Sequence, residues 1–464
     1  MVNFKNFAIV ATTLLSCVVA APAPASSSSS SSTGPSDIIP GSYIVTLKPS
    51  IKVAKVKAHI KWVKDVHKRS LTKRDTDNGI EKTYDNEAGF HAYSGTFDAS
   101  TIKQIKKSPD VIAVEPDRLV KLTWNPQVGE PSENNQFGER DHHEDHDSED
   151  EPTEDVHLSK RAETNQNPST WGLGTISHRA KGYKNYLYDS DAGIESYAYV
   201  VDSGVRASHK DFGGRVKQVW TAFSRDHTDR LGHGTHVAGT IAGKTYGVAK
   251  KAQILAVKVF QGDSAELSVI LSGINWAVND VVSKNRQKFA VINLSLGIDD
   301  TSAALNRVVE NAVKAGVITV VASGNAGMDT AKTSPGSVAN AITVGAIDSN
   351  WKVTSWSNWG SFVDILAPGV GVISCSWKSD TGTAVEDGTS MAAPHVSGLV
   401  LYAQSIEGIF GVTQTSNWLK KVATADQITG NLRGTKNLIA NNNNYQQRKI
   451  KKVKAKAKAK ATRQ

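Results

Sequence analysis

The chain has 464 residues and a formal net charge of +9, and nine basic residues lie within positions 448–464. Because these nine charges equal the whole excess, the rest of the chain is close to neutral. This distribution, without a basic groove interleaved with aromatic side chains, excludes a domain built to bind nucleic acid.

The first forty residues predict two segments without a globular fold. Residues 1–20 combine a basic start, a short apolar run and small residues, the pattern of a secretory signal peptide. That run is too short for a transmembrane helix, and no later stretch is long and apolar enough, so we expect no transmembrane segment. Residues 21–40 form a serine-rich linker. Removal of the signal would leave Cys375 as a lone cysteine, so the core must be stable without a disulfide.

Residues 41–124 predict a small α+β domain. An alternating strand pattern at 43–47 is followed by Ile60, Val63 and Val66 at helical spacing. A strand, a second helix and a final strand follow. This order of elements indicates a ferredoxin-like arrangement.

An acidic and histidine-rich linker follows at residues 125–161 and ends in the dibasic pair Lys160-Arg161. Its composition cannot bury a core, so we expect disorder, and the dibasic pair indicates proteolytic processing. The histidines also allow metal binding or pH sensing, but a solvated spacer is favoured. The basic tail at 447–464 would either bind an anionic surface or be trimmed.

Residues 162–446 predict a second, larger domain. Its strand-like segments are continuous apolar runs that alternate with helix-like segments. This pattern indicates an α/β fold with a mostly parallel sheet buried on both faces and flanked by helices. In such sheets, functional side chains gather at the carboxyl ends of the strands.

Polar side chains stand where several of these runs end. Asp202 ends the strand YAYVVD, His233 and His236 open the helix GHGTHVAGT, Asn325 follows the strand VITVVASG, and Ser390 starts the helix in DGTSMAAPHVSG. Each alone is typical of a turn or a helix cap. Together they supply a nucleophile, a base, a carboxylate and an amide donor, which points to acyl transfer.

The spacing alone leaves the base open among His233, His236 and His395. A zinc pair is disfavoured, because the motif lacks the glutamate of HExxH. An α/β-hydrolase esterase is excluded, because it requires Gly-x-Ser-x-Gly and a serine first in chain order, whereas residues 388–392 read GTSMA and the serine comes last.

The segments VVDSGV, GHGTHVAGT, NLSLG, SGN and DGTSMAAPHVSG closely resemble the subtilisin-like serine proteases, and the proteinase K and cerevisin branch is nearest. The resemblance extends over residues 171–441, and residues 42–122 resemble the inhibitory propeptide of the same family. It implies a subtilisin-like sheet and a serine endopeptidase of broad specificity. It also implies a zymogen with its own propeptide as an intramolecular inhibitor.

The resemblance also assigns roles to residues. It selects the first histidine of HGTH, so the catalytic residues would be Asp202, His233 and Ser390. Asn325, with the backbone N–H of Ser390, would form the oxyanion hole.

Two further sites are implied by the family alone. Substrate would bind by β-strand addition between Ser295-Leu296-Gly297 and the segment Gly262-Asp263-Ser264-Ala265, where Asp263 departs from a glycine-rich pattern. A structural calcium ion would take the carbonyls of Ala339 and Ala341 and the carboxylate of Asp364, while the chemistry itself requires no cofactor.

The predicted protein is therefore a secreted or vacuolar monomer that acts on protein and peptide substrates. The rival interpretation is a catalytically silent subtilisin-like protein that only binds its partners.

Overall fold

The computed structural model describes residues 37–70, 79–86, 88–122, 125–126 and 163–448. The predicted signal peptide, the basic tail beyond Arg448, and nearly all of the serine-rich and acidic linkers lie outside the described residues. Within the described part of the chain, no single helix is long and apolar enough to cross a membrane. One bent pair of helices, 389–407 with 412–422, reaches the required length and apolar composition only when the two are taken together.

The N-terminal domain has the predicted ferredoxin-like order of elements. Its strands and helices are β1 (Ile38–Leu47), α1 (Val53–Ser70), β2 (Gly79–Asp85), β3 (His91–Thr96), α2 (Ala99–Ile105) and β4 (Val111–Lys121). The strands pair in the order β4-β1-β3-β2, with antiparallel partners on both sides of β1. Apolar side chains from one face of this sheet and from both helices form its core.

The larger domain contains nearly all of the remaining elements. Its helices are α3 (Trp171–Ser177), α4 (His233–Ala242), α5 (Leu267–Ser283), α6 (Ala303–Lys314), α7 (Thr389–Tyr402) and α8 (Val412–Val422). The short strand β5 (Asn125–Pro126) precedes the domain, at the start of the linker for which we expected disorder, and pairs with a strand of the domain. Before α5 the strands of the domain are β6 (Glu163–Gln166), β7 (Tyr186–Asp189), β8 (Tyr197–Asp202), β9 (Val216–Thr221), β10 (Gln253–Lys258) and β11 (Ser264–Glu266). After α5 they are β12 (Ala290–Leu294), β13 (Ile318–Ala322), β14 (Ile342–Ile347), β15 (Ile365–Pro368), β16 (Val372–Cys375), β17 (Thr383–Asp387), β18 (Thr424–Ala425) and β19 (Leu438–Ile439).

One sheet organises this domain, with the strand order β18-β19-β15-β14-β13-β12-β8-β10-β9. All neighbours are parallel except β18 and β19. Alternate residues of β8 point to opposite faces: Ala198 and Val200 pack with α4 and α7, whereas Tyr199 and Val201 pack with α5. Both faces are buried, which explains the continuous apolar runs and confirms the predicted fold class.

The central helix α7 is buried along its whole length, and small side chains make this possible. A Cβ atom on Gly398 would lie 2.5 Å from the Cβ of Val248, so only glycine permits this approach. Pro394 is the sixth residue of α7 and has no N–H for the carbonyl of Ser390 four residues earlier. That carbonyl instead accepts a hydrogen bond from the hydroxyl of Ser295, at 2.8 Å.

Candidate active site

The polar residues singled out in the sequence lie at the carboxyl edge of the large sheet. Asp202 is the last residue of β8, Asn325 follows β13, and Ser295 follows β12. His233 opens α4, and Ser390 is the second residue of α7. Because parallel strands end at a common edge, residues distant in the sequence meet there.

Asp202 and His233 form a buried pair at this edge. The Nδ1 atom of His233 lies 2.8 Å from Oδ1 and 2.9 Å from Oδ2 of Asp202, and neither side chain is exposed. Gly234 allows the close approach of α4, because a Cβ atom there would lie 2.2 Å from the carbonyl oxygen of Gly204. The ring is therefore fixed with Nδ1 toward the carboxylate.

The Asp229 carboxylate anchors the start of α4 beside this pair. It accepts hydrogen bonds from the N–H of Gly232 at 2.8 Å, the hydroxyl of Ser203 at 2.9 Å and the hydroxyl of Thr235 at 2.6 Å. These bonds connect the first turn of α4 to the residue that follows Asp202. The position of His233 therefore depends on a buried polar network as well as on its own bond.

The electrostatic surroundings favour the charged form of the His233 imidazole. Burial by itself lowers its pKa, but the charge and the hydrogen bond of Asp202 raise it, and Glu386 and Asp229 add to this. The net effect is a pKa above the ordinary value. A base of this kind can take a proton from a hydroxyl and hold it during a reaction.

The other two candidate histidines have structural surroundings. His236 places Nε2 2.9 Å from the carbonyl oxygen of Val372, and His395 places Nδ1 2.8 Å from that of Met391. Burial lowers the pKa of His236 to about 3 and that of His395 to about 4, so both are neutral over the ordinary pH range. Of the three histidines, His233 is the one with a hydrogen-bonded carboxylate.

Ser390 is held by reciprocal hydrogen bonds with Ser295. Its hydroxyl donates to the carbonyl oxygen of Ser295 at 3.0 Å, and the Ser295 hydroxyl donates to the carbonyl oxygen of Ser390 at 2.8 Å. Ser390 is 3% exposed, so its oxygen lies in a nearly water-free environment in the precursor. Its place in the first turn of α7 puts it near the positive end of the helix dipole.

Asn325 is tied to the same helix start. Its carbonyl oxygen Oδ1 accepts hydrogen bonds from the N–H of Thr389 at 2.9 Å and from the Thr389 hydroxyl at 2.8 Å. Two donors to one oxygen identify that atom as the carbonyl, so Nδ2 is the opposite atom of the amide. The Asn325 amide is thus held against Thr389, the residue that precedes Ser390.

Comparisons with known proteins identify the chain at this point. The model described as "Subtilase family" matches residues 198–448, and the model described as "Peptidase inhibitor I9" matches residues 42–123. The chain belongs to the subtilase family. The predicted recognition, fold and enzyme class are therefore confirmed.

Full-length relatives and a solved structure agree with this assignment. The subtilase is 41% identical to "Alkaline protease 1" of Aspergillus flavus over 96% of this chain and 100% of that protein. It is 44% identical to "Alkaline proteinase" of Hapsidospora chrysogena over 88% and 93% of the two chains, and 42% identical to "Subtilisin-like proteinase Mp1" of Magnaporthiopsis poae over 95% and 99%. The "Crystal structure of a cold adapted subtilisin-like serine proteinase" matches at 36% identity with a TM-score of 0.55, covering 60% of this chain and 99% of the other. The chain is a serine peptidase, and these findings favour that reading over a silent binding protein.

Of the two predicted substrate edges of the subtilase, one contacts Ser390 through Ser295, and the other contacts the N-terminal domain. Residues 295–297 follow β12, and the N-terminal domain already occupies the second edge. There β4 pairs antiparallel with β11, with Ser264 opposite Lys121, and the N–H of Leu122 donates to the carbonyl oxygen of Asp263 at 2.9 Å. The second edge therefore accepts an added strand, while the Asp263 side chain is exposed.

The predicted calcium ligands have a different arrangement. Asp364 Oδ1 lies 2.9 Å from Nζ of Lys420 and 3.4 Å from Nζ of Lys436, while its Oδ2 accepts the N–H of Thr343 at 3.1 Å. Two ammonium groups already balance this carboxylate, so these residues fit an ion pair better than a calcium ion. The described residues also contain no group of three or more His, Cys, Asp or Glu side chains that could hold a metal. The roles of Ala339 and Ala341 as ligands stay a prediction, and no step below depends on a metal.

Sequence reasoning gave no role to Glu386, in β17, four residues before Ser390. The structure buries its carboxylate near His233, and burial raises its pKa to about 7. The charges of Asp202 and Asp229 act in the same direction, whereas that of His233 opposes it. The one signal available in the sequence was the position of Glu386, an acid in the strand that leads directly into the turn before Ser390.

Proposed function

We propose that the protein is a serine endopeptidase of the secretory pathway, made as a zymogen that its own N-terminal domain inhibits. The buried Asp202–His233 pair, at one sheet edge with Ser390 and Asn325, is the observation that carries this proposal. We further propose a monomeric protein of broad specificity, released from the cell or delivered to the vacuolar lumen. Its substrates would be proteins and peptides.

In the first half of the reaction, the Ser390 oxygen attacks the carbonyl carbon of the scissile bond, and His233 Nε2 takes the hydroxyl proton. Asp202 accepts the Nδ1–H bond and stabilises the imidazolium. The Asn325 amide and the backbone N–H of Ser390 stabilise the oxyanion. The imidazolium then gives its proton to the leaving amine as the C–N bond breaks, which leaves an acyl-enzyme.

In the second half, a water molecule replaces the amine. His233 takes a proton from the water as its oxygen attacks the ester carbon, and the same two donors stabilise the oxyanion. The proton then passes to the Ser390 oxygen as the ester bond breaks. The products are the free carboxylic acid and the original enzyme.

Backbone pairing between the two domains supports the inhibitory role. The last strand of the N-terminal domain, β4, lies on β11, and the short strand β5 pairs with β17 just before Ser390. The N-terminal domain therefore pairs with backbone at β11, and residues 125–126 pair with the strand that leads to Ser390. A peptide substrate would need the same edge at β11, so it competes with the N-terminal domain.

Two carboxylates of the N-terminal domain reach the starts of two helices in the peptidase domain. Glu115 Oε1 accepts the N–H of Ala304 in α6 at 2.7 Å, and Asp117 Oδ1 accepts the N–H of Ser268 in α5 at 3.1 Å. Carboxylates are favourable at this end of a helix because its N–H groups lack partners. Burial raises the pKa of both acids. The bonds fix the orientation in which β4 meets β11.

A fluorophosphonate probe, which reacts with activated serines, tests the proposal. We expect labelling of the processed wild-type protein and of a Ser349→Ala control, whose serine is exposed. We expect none in Ser390→Ala, which should also accumulate as the precursor if the chain processes itself. A processed wild-type protein that takes no label would support a silent binding protein instead.

A further inference from the structure

Lys258 is a buried lysine that the mechanism described above does not use. It is the last residue of β10, lies opposite Asp202 of β8 in the parallel register, and is 1% exposed. A lysine side chain is almost never fully buried unless its ammonium group has partners, because removal of the charge from water is costly. The partners of this ammonium group therefore show what the residue does.

Two backbone carbonyls accept hydrogen bonds from the Lys258 ammonium group. Its Nζ atom lies 2.6 Å from the carbonyl oxygen of Ser203 and 2.6 Å from that of Phe260. The same nitrogen lies 5.5 Å from the centroid of the Phe223 ring, within the range of a cation–π contact. Hydrogen bonds from a charged donor are short and strong, so the Lys258 side chain holds both carbonyls firmly.

The first of these partners, Ser203, also holds the Asp202 carboxylate. The N–H of Ser203 donates to Asp202 Oδ1 at 2.7 Å, and this is the oxygen that lies 2.8 Å from His233 Nδ1. The Ser203 hydroxyl accepts the N–H of Gly234, the residue after His233, at 2.9 Å. Ser203 therefore contacts both sides of the buried pair, and Lys258 fixes the carbonyl of this residue.

The second partner, Phe260, leads into the predicted substrate edge. Residues 262–265 begin two positions after it. The N–H of Phe260 donates to the carbonyl oxygen of Asp202 at 3.3 Å, so the backbone itself connects the two segments up to that point. Beyond it, the side chain of Lys258 joins them through the carbonyls of Ser203 and Phe260.

We propose that Lys258 is a positioning residue that couples the Asp202 carboxylate to the segment carrying the predicted substrate edge. Through Ser203 it fixes the carboxylate that supports the general base. Through Phe260 it fixes the point from which residues 262–265 extend. This inference rests on the proposed function, in which the carboxylate supports proton transfer and this edge pairs with the substrate.

Lys250 provides a matched comparison, because it is a second buried lysine with the same kinds of partner. It is 8% exposed, and its Nζ atom donates to the carbonyl oxygens of Lys244 at 2.8 Å and Thr245 at 3.1 Å. Like Lys258, it lies near an aromatic ring, that of Tyr188, at 5.3 Å from the centroid. None of these partners was predicted as a site residue. Loss of either ammonium group should lower stability, but only the loss at 258 should alter catalysis.

The test compares kcat and KM of the processed wild-type enzyme, Lys258→Met and Lys250→Met. Methionine keeps an unbranched apolar side chain but removes the charge and the donors. Each enzyme is assayed with a single-residue ester, which reaches Ser390 without extending along the substrate edge. Each is also assayed with a tetrapeptide anilide, whose backbone can pair with residues 262–265.

We expect Lys258→Met to lower kcat about tenfold on both substrates, because small displacements of reacting groups cost this much or more. The kcat/KM of the tetrapeptide relative to that of the ester should fall about fivefold, the effect of roughly one lost hydrogen bond. Lys250→Met should keep the wild-type kcat and ratio, although its Tm falls. Unchanged kinetics in Lys258→Met, or a change in only one of the two measures, would overturn the coupling.

A second measurement does not require a processed enzyme. In the Ser390→Ala precursor, the proton between His233 and Asp202 can be followed by NMR at low field. We expect this signal to move in Lys258→Met and to stay in place in Lys250→Met. Lys258→Gln serves if the methionine variant does not fold, since glutamine is one atom shorter and cannot keep both bonds. A signal that stays in place in every folded variant at 258 would overturn the inference.

Labelling with the fluorophosphonate separates this failure from failure of the proposed function. If the probe labels the processed wild-type enzyme but Lys258→Met has wild-type kinetics, only the inference on Lys258 is wrong. If the processed wild-type protein takes no label, the proposed function itself is wrong.

Discussion

The interface between the two domains and the catalytic edge of the large sheet both bury carboxylates, but they partner them differently. At the interface, Glu115 and Asp117 each receive a backbone N–H from the start of a helix. At the catalytic edge, Asp202 receives an imidazole, whereas Glu386 Oε2 has no hydrogen-bond partner within the described residues. A carboxylate held by backbone fixes geometry, and a carboxylate beside a titratable ring takes part in proton chemistry.

The largest expected effect is at the catalytic edge. Asp202→Asn keeps the size of the side chain but removes the charge that supports the His233 imidazolium. We expect kcat to fall by about 10⁴, measured as turnover of a small chromogenic peptide. The exposed Asp426→Asn variant is the control. A loss below tenfold would show that Asp202 has only the structural role that the interface acids have.

At the interface, we expect a smaller effect, on inhibition rather than on chemistry. Glu115→Gln with Asp117→Asn weakens two charge-assisted bonds between the domains, so the lag before activity appears in purified precursor should shorten about tenfold. The kcat of the processed enzyme should not change. Glu81→Gln, at an exposed site in the N-terminal domain, should keep the wild-type lag. An altered kcat would place these two acids in the catalytic machinery.

Because the Glu386 carboxyl is buried, we also expect the stability of the protein to depend on pH. The pKa of Glu386 rises from about 4.5 in the unfolded chain to about 7 in the folded one, because burial disfavours its charge. The folded state therefore binds more protons between these values, so the free energy of unfolding falls as pH rises through this window. Glutamine does not titrate and escapes that loss.

We therefore expect Glu386→Gln to raise the Tm of the Ser390→Ala precursor by about 5 °C at pH 8 and by much less at pH 5. Thermal unfolding followed by circular dichroism measures the difference, and Glu310→Gln controls for the loss of an acid elsewhere. An equal change at both pH values would mean that the Glu386 carboxyl does not titrate in this window.

Asp364 gives the smallest expected effect, because lysines already balance its charge. Addition of EDTA to the Ser390→Ala precursor should change Tm by less than about 1 °C. In Lys420→Met with Lys436→Met the carboxylate loses both ammonium groups, so calcium should raise Tm in that variant if the carbonyls of 339 and 341 complete a site. If calcium clearly raises the Tm of the precursor that keeps both lysines, the result would instead support Ala339, Ala341 and Asp364 as calcium ligands.

Much of the fold could be predicted because apolar patterns repeat at the period of each element. Continuous apolar runs such as residues 197–201 require a strand covered on both faces, and Asp202 at the end of such a run must lie at a sheet edge. The alternation at 43–47 likewise identified the first strand of the N-terminal domain. Where β1 starts could not be read, and the structure begins it at Ile38, inside the predicted serine-rich linker.

The sequence predicted the positions of those site residues that lie at the end of a strand or the start of a helix, and no others. Strand and helix ends brought Asp202, Ser390 and Asn325 to one edge, but spacing could not choose among the three histidines. That choice depends on which ring faces a carboxylate, a property of packing between α4 and β8. Glu386 was missed for the same reason, because His236, whose Nδ1 lies 3.9 Å from its carboxylate, is 150 positions away in sequence.

Pro394 has one more consequence, for the backbone beneath the nucleophile. By withholding a helical N–H, it leaves the Ser390 carbonyl to accept a hydrogen bond from the Ser295 hydroxyl. A side chain thereby replaces a bond that the helix would otherwise make with itself. Removal of that hydroxyl would leave a buried carbonyl in the first turn of α7 without this donor.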